Sequence, residues 1–196
     1  MTTRVSTSML KTVSSKSLTS TSSSNEGQIV QLDANGKVRS ALLPTGSVIQ
    51  VVNVTDGAYD SGTTVFVNDD TIPQNTEGNE FMTLAITPTS ASSKLKIEVV
   101  CVLSTHTDNH KGIVALFQDS TANALAAVMN HDMGGQGRIK TISFNHYMTA
   151  GTTSATTFKV RAGSDTAGTV GFNGYGGSRY FGGVMASSIT ITEIGA

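Results

Sequence analysis

The feature that most limits how this chain can fold is a long series of short β-type runs between Ser47 and Ala196. The runs are rich in β-branched residues, and clusters of Gly, Asn, Asp and Ser separate them. No window keeps the spacing of an amphipathic helix for three turns. Many short strands at this spacing predict an all-β domain, built as a sandwich, a jelly roll or a barrel.

Two of the runs show the alternation of a strand with one buried face. Between Lys94 and Ser104, five apolar side chains stand at every second position: Leu95, Ile97, Val99, Cys101 and Leu103. Near the C-terminus, Ile189 and Ile191 alternate with threonines, and Ile194 falls out of phase. In full, we predict strands near residues 47–54, 63–67, 80–87, 94–104, 111–118, 124–129, 138–148, 155–162, 168–173, 179–185 and 187–194.

Residues 1–46 differ from the rest and predict an extended N-terminal arm ahead of a sandwich domain of residues 47–196. Ten of the thirteen residues from Thr12 to Ser24 are Ser or Thr. Such a tract buries too little apolar surface to offset the entropy lost on ordering it. A short strand is predicted at Gln28–Leu32, and the Asn35-Gly36 pair that follows predicts a tight turn.

The arm carries a few apolar side chains that can anchor it to another protein: Val5, Met9, Leu10, Val13 and Leu18. Their irregular spacing suits an extended segment laid across a partner. In that mode of binding, backbone hydrogen bonds give affinity and scattered apolar side chains give register. We therefore predict that the arm is a partner-binding segment.

Composition argues against several classes of partner. The formal net charge is −1, so the whole-chain charge does not attract nucleic acid or anionic lipid. No apolar stretch approaches the roughly 20 residues of a membrane helix, and Met1–Lys11 lacks the apolar region of a secretion signal. The one cysteine, Cys101, is predicted to be a small core residue. We expect synthesis in a cytoplasm, with neither nucleic acid nor membrane as a partner.

The residues that commonly perform chemistry form no recognisable catalytic pattern. His106 and His110 have a spacing that could seed a metal site on a helix, but they follow a strand and enclose Asp108 and Asn109, which predicts a polar loop. The glycine-rich stretches lack the strand-to-helix context of a phosphate-binding loop, and no nucleophile elbow is present. We expect no catalytic activity, no cofactor and no bound metal.

The most suggestive surface group is a cluster of aromatic and basic residues among glycines near the C-terminus: Tyr175, Arg179, Tyr180 and Phe181. Exposed aromatic rings with an arginine can stack on sugars or on a protein partner. The same residue types are enriched in subunit interfaces. The cluster is therefore a candidate for a subunit interface or for surface recognition.

Several stretches together resemble the head-decoration, head-fibre and tail-fibre proteins of tailed bacteriophages. The stretches are Met1–Leu10, Gln28–Val38, Leu43–Val52, Ile86–Ile97, Ala115–Ser120, Ser154–Gly163 and Ser187–Ile194. The resemblance covers most of the chain and implies a trimeric, jelly-roll-like antiparallel β-sandwich on a virion surface. It supplies no catalytic motif.

This resemblance, with the predicted arm, leads to a structural function. The chain is expected to be a capsid-decorating protein, a cement protein or head fibre, that forms a homotrimer in the virion after synthesis in the host bacterial cytoplasm. Its arm would bind the major capsid protein or another virion protein. The alternative is a tail-fibre receptor-binding protein that recognises a host surface polysaccharide.

Overall fold

The structure is a computed structural model that describes Gly36, Val38, residues 42–106 and residues 110–196. The chain divides into two units, residues 1–42 and residues 43–196, and the fold described here is that of the second unit. The predicted strand Gln28–Leu32 lies outside the described residues. So do the five predicted arm anchors, Val5, Met9, Leu10, Val13 and Leu18, whose role stays a prediction.

The second unit consists of short strands joined by turns and loops. The strands are β1 (Val48–Asp56), β2 (Asp60–Gly62), β3 (Asn79–Ile86), β4 (Lys94–Thr105), β5 (Gly112–Gln118), β6 (Ala126–Asn130), β7 (Ile139–Thr149), β8 (Thr156–Ser164), β9 (Val170–Phe172), β10 (Gly174–Tyr175), β11 (Ser178–Arg179) and β12 (Ser187–Ile194). A 3-10 turn lies at Phe181–Gly183.

The strands form two main antiparallel sheets. In the six-stranded sheet, β4 is the central strand and pairs with β7 along one of its edges. Along its other edge β4 pairs first with β12 and then with β9. The outer strands are β1, which pairs with β12, and β2, which pairs with β9. The four-stranded sheet has the order β3-β8-β5-β6. The small hairpin β10–β11 stands apart. The predicted all-β, jelly-roll-like antiparallel β-sandwich is confirmed.

The core lies between the two sheets and follows the alternation in the sequence. The five alternating apolar residues of β4, from Leu95 to Leu103, are all buried, and Ile189 and Ile191 of β12 pack beside them. Phe158 and Val160 of β8 face them from the four-stranded sheet. Burial raises the pKa of the Cys101 thiol to about 12, against the opposing effect of a hydrogen bond with Ser187. Cys101 is thus an inert core residue, as predicted.

Two of the predicted strands are wrong. Residues 63–67 lie outside any strand, because the segment makes only isolated backbone bonds: Phe66 donates to the carbonyl of Ser164, and Val65 accepts from Gly78. Residues 180–185 do not form a strand either, and of the predicted range only Arg179 belongs to one, the short β11. Phe181, Gly182 and Gly183 all have a positive φ there, which no β-strand can accommodate.

The loop between β2 and β3 covers part of the outer face of the four-stranded sheet. Its Phe66 packs on the outward side chains of β5, Ile113, Ala115 and Phe117, and all four residues are buried. This satellite cluster explains why every position of β5 from 112 to 117 is buried, on both faces of the strand.

Glu193 is a fully buried carboxylate that fixes the crossover between the two sheets. It stands on the inward face of β12 because the strand alternation continues through Ile189 and Ile191. Its Oε1 accepts hydrogen bonds from the amide and hydroxyl of Thr89 at 2.9 and 2.7 Å, in the turn between β3 and β4. Its Oε2 accepts from Gln50 Nε2 at 2.6 Å.

These hydrogen bonds decide the ionisation of the group. Burial alone would raise the pKa of the Glu193 carboxyl, but the bonds from Thr89, Gln50 and Ser93 outweigh it and hold the pKa below its usual value. The unfolded chain therefore binds the proton more readily than the folded chain. The resulting stabilisation is complete above the ordinary pKa of a glutamate and is lost as the pH falls through the lower pKa of the folded state.

We predict that Glu193→Gln lowers the free energy of unfolding at pH 7 by roughly 2–3 kcal/mol, because hydrogen bonds to a charged acceptor are lost. It should also reduce the decline of stability in acid. Glu98→Gln is the matched control, since that carboxylate is half-exposed and pairs only with Lys96 at the surface; it should cost less than about 1 kcal/mol. Chemical denaturation across the acidic range measures both, and equal effects would contradict the role of Glu193.

Candidate functional site

The candidate site is the segment of residues 174–186, which leaves the sandwich and returns to it at one point. Asn173 precedes the segment and Ser187 follows it, and Ser187 Oγ donates a hydrogen bond to Asn173 Oδ1 at 2.7 Å. Both residues are fully buried. A loop whose two ends are joined in this way is a compact surface unit carried by the sheet beneath it.

Asn173 is the anchor of this unit. Its φ of +57° is a conformation that asparagine tolerates better than most residues. Its Nδ2 donates to the carbonyls of Asp56 at 2.7 Å and Ala58 at 3.1 Å, at the end of β1. Ser187 Oγ in turn accepts from the amide of Val102 at 2.8 Å. The network thereby connects the segment to β1, β4 and β12.

The segment presents an apolar ledge to solvent, formed by Tyr180, Phe181 and Val184. Phe181 is 78% exposed and Val184 is 86% exposed, which are high values for large apolar side chains. The rings of Tyr180 and Phe181 lie 6.4 Å apart and are tilted by 48°. Phe181 has a φ of +50°, which is rare for a bulky residue.

A close backbone contact fixes the height of the ledge above the sheet. A methyl group on Gly57 would overlap the carbonyl oxygen of Gly183, so the two backbones touch where only glycine fits. Arg179 also lies against Gly183, with its Nη1 3.2 Å from the place of a methyl group there. The ledge is therefore built on a close-packed base.

The predicted cluster is only partly brought together. Tyr180 and Phe181 share the ledge, and Arg179 is exposed next to its base. Tyr175 is half-buried and turns away to pack its ring edgewise on His106, with the ring centroids 4.6 Å apart. Val184 was missed as a surface residue because it fell within a predicted strand, and the Gly182-Gly183 pair beside it was the signal against that strand.

The histidines predicted to lie in a polar loop do not converge. His106 is partly buried against Tyr175, whereas Nδ1 of His110 lies 3.3 Å from Thr166 Oγ1. The residues between them, 107–109, are not among the described ones. Within the described part of the chain, no three His, Cys, Asp or Glu side chains come together in a way that could hold a metal ion.

A second exposed surface is the outer face of the six-stranded sheet. Its register aligns Glu98 with Asn145 and Lys96 with Tyr147, on the neighbouring strands β4 and β7. Lys96 and Glu98 form an ion pair at 2.7 Å, and Tyr147 is 56% exposed. This face is polar and has one exposed aromatic ring.

No helix in the described ranges is long and apolar enough to cross a membrane. No family model matches the sequence, and no curated protein matches it either. Solved structures do show a likeness in fold, with jelly-roll β-sandwich domains among them.

One similar structure is the C-terminal domain of EclA, a sugar-binding protein, with 13% identity, a TM-score of 0.33 and coverage of 72% of this chain and 84% of that one. Another is the CBM36-1 domain of a multidomain xylanase from the hindgut metagenome of Trinervitermes trinervoides, with 13% identity, a TM-score of 0.37 and coverage of 72% of this chain and 96% of that one. A third is a structure of infectious bursal disease virus, Gt strain, with 14% identity, a TM-score of 0.36 and coverage of 76% of this chain and 39% of that one. At these identities the likeness concerns the fold alone.

We predict that Asn173→Gly destabilises the fold by roughly 3 kcal/mol, because buried polar partners in β1 and β12 are left without their hydrogen bonds. Glycine accepts the positive φ, so the backbone itself stays unstrained. Asp119→Gly is the matched control: its φ is +51°, and its exposed carboxylate bonds to Thr156 and Thr157. Chemical denaturation followed by circular dichroism compares the two. A smaller loss for Asn173→Gly than for Asp119→Gly would contradict the anchoring role.

Proposed function

We propose that this chain is a structural protein of a tailed-bacteriophage virion. In this proposal it acts by binding and not by catalysis, forms a homotrimer, and decorates the capsid as a cement protein or head fibre. The apolar ledge is the observation that carries the proposal. The bacteriophage assignment itself comes from the sequence resemblance.

The ledge exposes large apolar groups on a strained backbone. Holding a residue other than glycine in the left-handed region costs roughly 1–2 kcal/mol, and Phe181 gains little burial within its own subunit to offset that cost. Strain of this kind tends to accompany binding surfaces. Aromatic side chains near an arginine are the residues that interfaces favour. The ledge is therefore suited to be covered by a protein surface.

Another copy of the same chain is the covering surface that we propose. Homo-oligomers usually close with cyclic symmetry, in which every subunit uses the same contact. In a trimer, each ledge would be buried against the next subunit. Closure also removes the exposed apolar patch, which would otherwise promote aggregation.

Attachment to the virion is assigned to the N-terminal arm. A segment that becomes ordered on binding can cover a large surface, at the cost of its ordering entropy. Three arms on one trimer raise the effective concentration of each, so weak individual contacts add up to durable attachment. The partner in this proposal is the major capsid protein or another virion protein.

The second candidate function is recognition of a host surface polysaccharide by a tail fibre. The observation in its favour is the polar outer sheet face, where Tyr147 is exposed beside Lys96 and Asn145 is exposed beside Glu98. An aromatic ring with neighbouring hydrogen-bonding side chains is a surface on which sugars can stack. The number of copies per purified virion separates the two functions. A count that matches the capsid lattice supports decoration, and a count of a few fibres supports recognition.

We predict that the purified chain has the mass of a trimer by light scattering and that Phe181→Gly weakens the trimer at least tenfold, which is about 1.4 kcal/mol. Glycine keeps the positive φ, so only the ring is removed. Tyr147→Ser is the control, because it removes another exposed ring, on a sheet face, and it should stay trimeric. A monomeric wild-type protein would refute the trimer. A Phe181→Gly variant that stays fully trimeric would show that the ledge is not part of the interface.

We predict that deleting residues 1–24 leaves the trimer folded but abolishes its attachment to virus particles that lack this protein. Exchanging the five anchors, Val5, Met9, Leu10, Val13 and Leu18, for serine should have the same effect. The matched control exchanges five serines of the same tract for threonine, at Ser14, Ser15, Ser17, Ser20 and Ser22, and should attach normally. Cosedimentation with the particles is the measurement. If the truncated trimer pellets as well as the full-length one, the arm is not the anchor.

A further inference from the structure

A groove with apolar and polar walls runs along the outer side of β6, far in sequence from the ledge. The loop of residues 66–73 forms one wall, and residues 124–129 form the other. Two adjoining cavities, of about 400 and about 220 Å³, make up the groove and share Asp69, Thr71, Pro73 and Ala127. The groove therefore extends along residues 126–129 of β6, roughly 14 Å for these four residues.

The groove is open to solvent, and its walls carry both apolar and polar side chains. Val67 and Ile72 on the loop wall and Met129 on the strand wall are each at least two-fifths exposed. Its floor contains Phe66 and Ile113, which belong to the satellite cluster and hold the loop in place. The apolar walls are thus supported from below and remain uncovered.

Two carboxylates stand on the loop wall. Asp69 Oδ1 accepts hydrogen bonds from the amide of Thr71 at 2.8 Å and from its hydroxyl at 2.6 Å. Bonds from the hydroxyl and then the amide of Thr71 lower the pKa of Asp69, so the group is ionised at neutral pH. Neither Asp69 nor Asp70 forms an ion pair with a lysine, arginine or histidine in the described part of the chain.

We propose that this groove binds an extended polypeptide segment that carries a lysine or arginine next to apolar side chains. The apolar side chains fill the space between Ile72 and Met129, and the cation lies beside Asp69 and Asp70. This proposal goes beyond the virion function and stands without it.

Charge and shape select this occupant over the others. A nucleic acid would be repelled by the two carboxylates. A neutral saccharide would leave both carboxylates without a counter-charge, and the exposed side chains of Val67, Ile72 and Met129 offer it no hydrogen bonds. A groove of this length fits a chain in the extended conformation, which presents side chains at every second position.

The test titrates the full-length protein with two synthetic peptides, acetyl-TVKLTVT-amide and acetyl-TVELTVT-amide. The readout is the methyl resonance of Met129 by nuclear magnetic resonance. Met82 and Met133 are internal references, because both are buried away from the groove. We expect the lysine peptide to shift Met129 saturably, and the glutamate peptide to bind at least tenfold more weakly, a difference of about 1.4 kcal/mol.

A charge reversal sharpens the test. Asp70→Lys should prefer the glutamate peptide, whereas Asp60→Lys, at an exposed aspartate of β2, should keep the wild-type preference. Asp69→Asn is a milder second variant, since the asparagine carbonyl can still accept the hydrogen bonds from Thr71. It should weaken binding of the lysine peptide without reversing the preference between the two peptides.

Three results would overturn the proposal. The first is equal binding of the two peptides to the wild-type protein, and the second is the absence of any Met129 shift up to the solubility limit of the peptides. The third is a Met129 shift that depends on protein concentration alone, which would assign the groove to a second copy of the chain.

Discussion

The hydrogen bond between Ser187 and Asn173 joins the two ends of the exposed segment, and the rest of that surface depends on it. Asn173 contributes both a conformation and a side chain: a positive φ turns the chain out of β9, and the amide holds the end of β1. Ser187 occupies the first position of β12 and accepts from Val102 of the central strand β4. Asn173, Ser187 and the amide of Val102 are buried, so their hydrogen bonds must be satisfied for the segment to lie where it does.

The sandwich leaves little of its own interior open to function. Buried apolar side chains pack between the sheets. Glu193 accepts the hydrogen bonds of Thr89 in the turn that crosses from one sheet to the other. The exposed surfaces differ in character. One sheet presents a polar face with Tyr147, the other is partly covered by the loop that holds Phe66, and apolar groups emerge at the ledge and in the groove. A molecule arranged in this way is suited to binding other surfaces.

Both apolar surfaces rest on rigid supports. Gly57 and Gly183 meet without space for a methyl group under the ledge, and Phe66 locks the loop above the groove. Preformed surfaces lose little entropy on binding, so modest contact areas can give specific association. In a symmetric assembly each contact is repeated, and the repetition multiplies its effect.

The sequence by itself determined most of the strands and their buried faces. Period-two alternation is a local property of the extended chain, so Leu95 to Leu103, and Ile189 with Ile191, could be assigned to the core from their spacing. The Gly182-Gly183 pair after Phe181 is a sequence signal for a turn, although the pattern of residues 179–185 predicts a strand. Tertiary structure alone decided the partners. Thr89 lies 104 residues from Glu193, and Asn173 lies 14 from Ser187. Phe66 is buried only because β5 presents its second apolar face to it. Such contacts depend on which strand edges pair in space, and no local pattern of residues specifies that pairing.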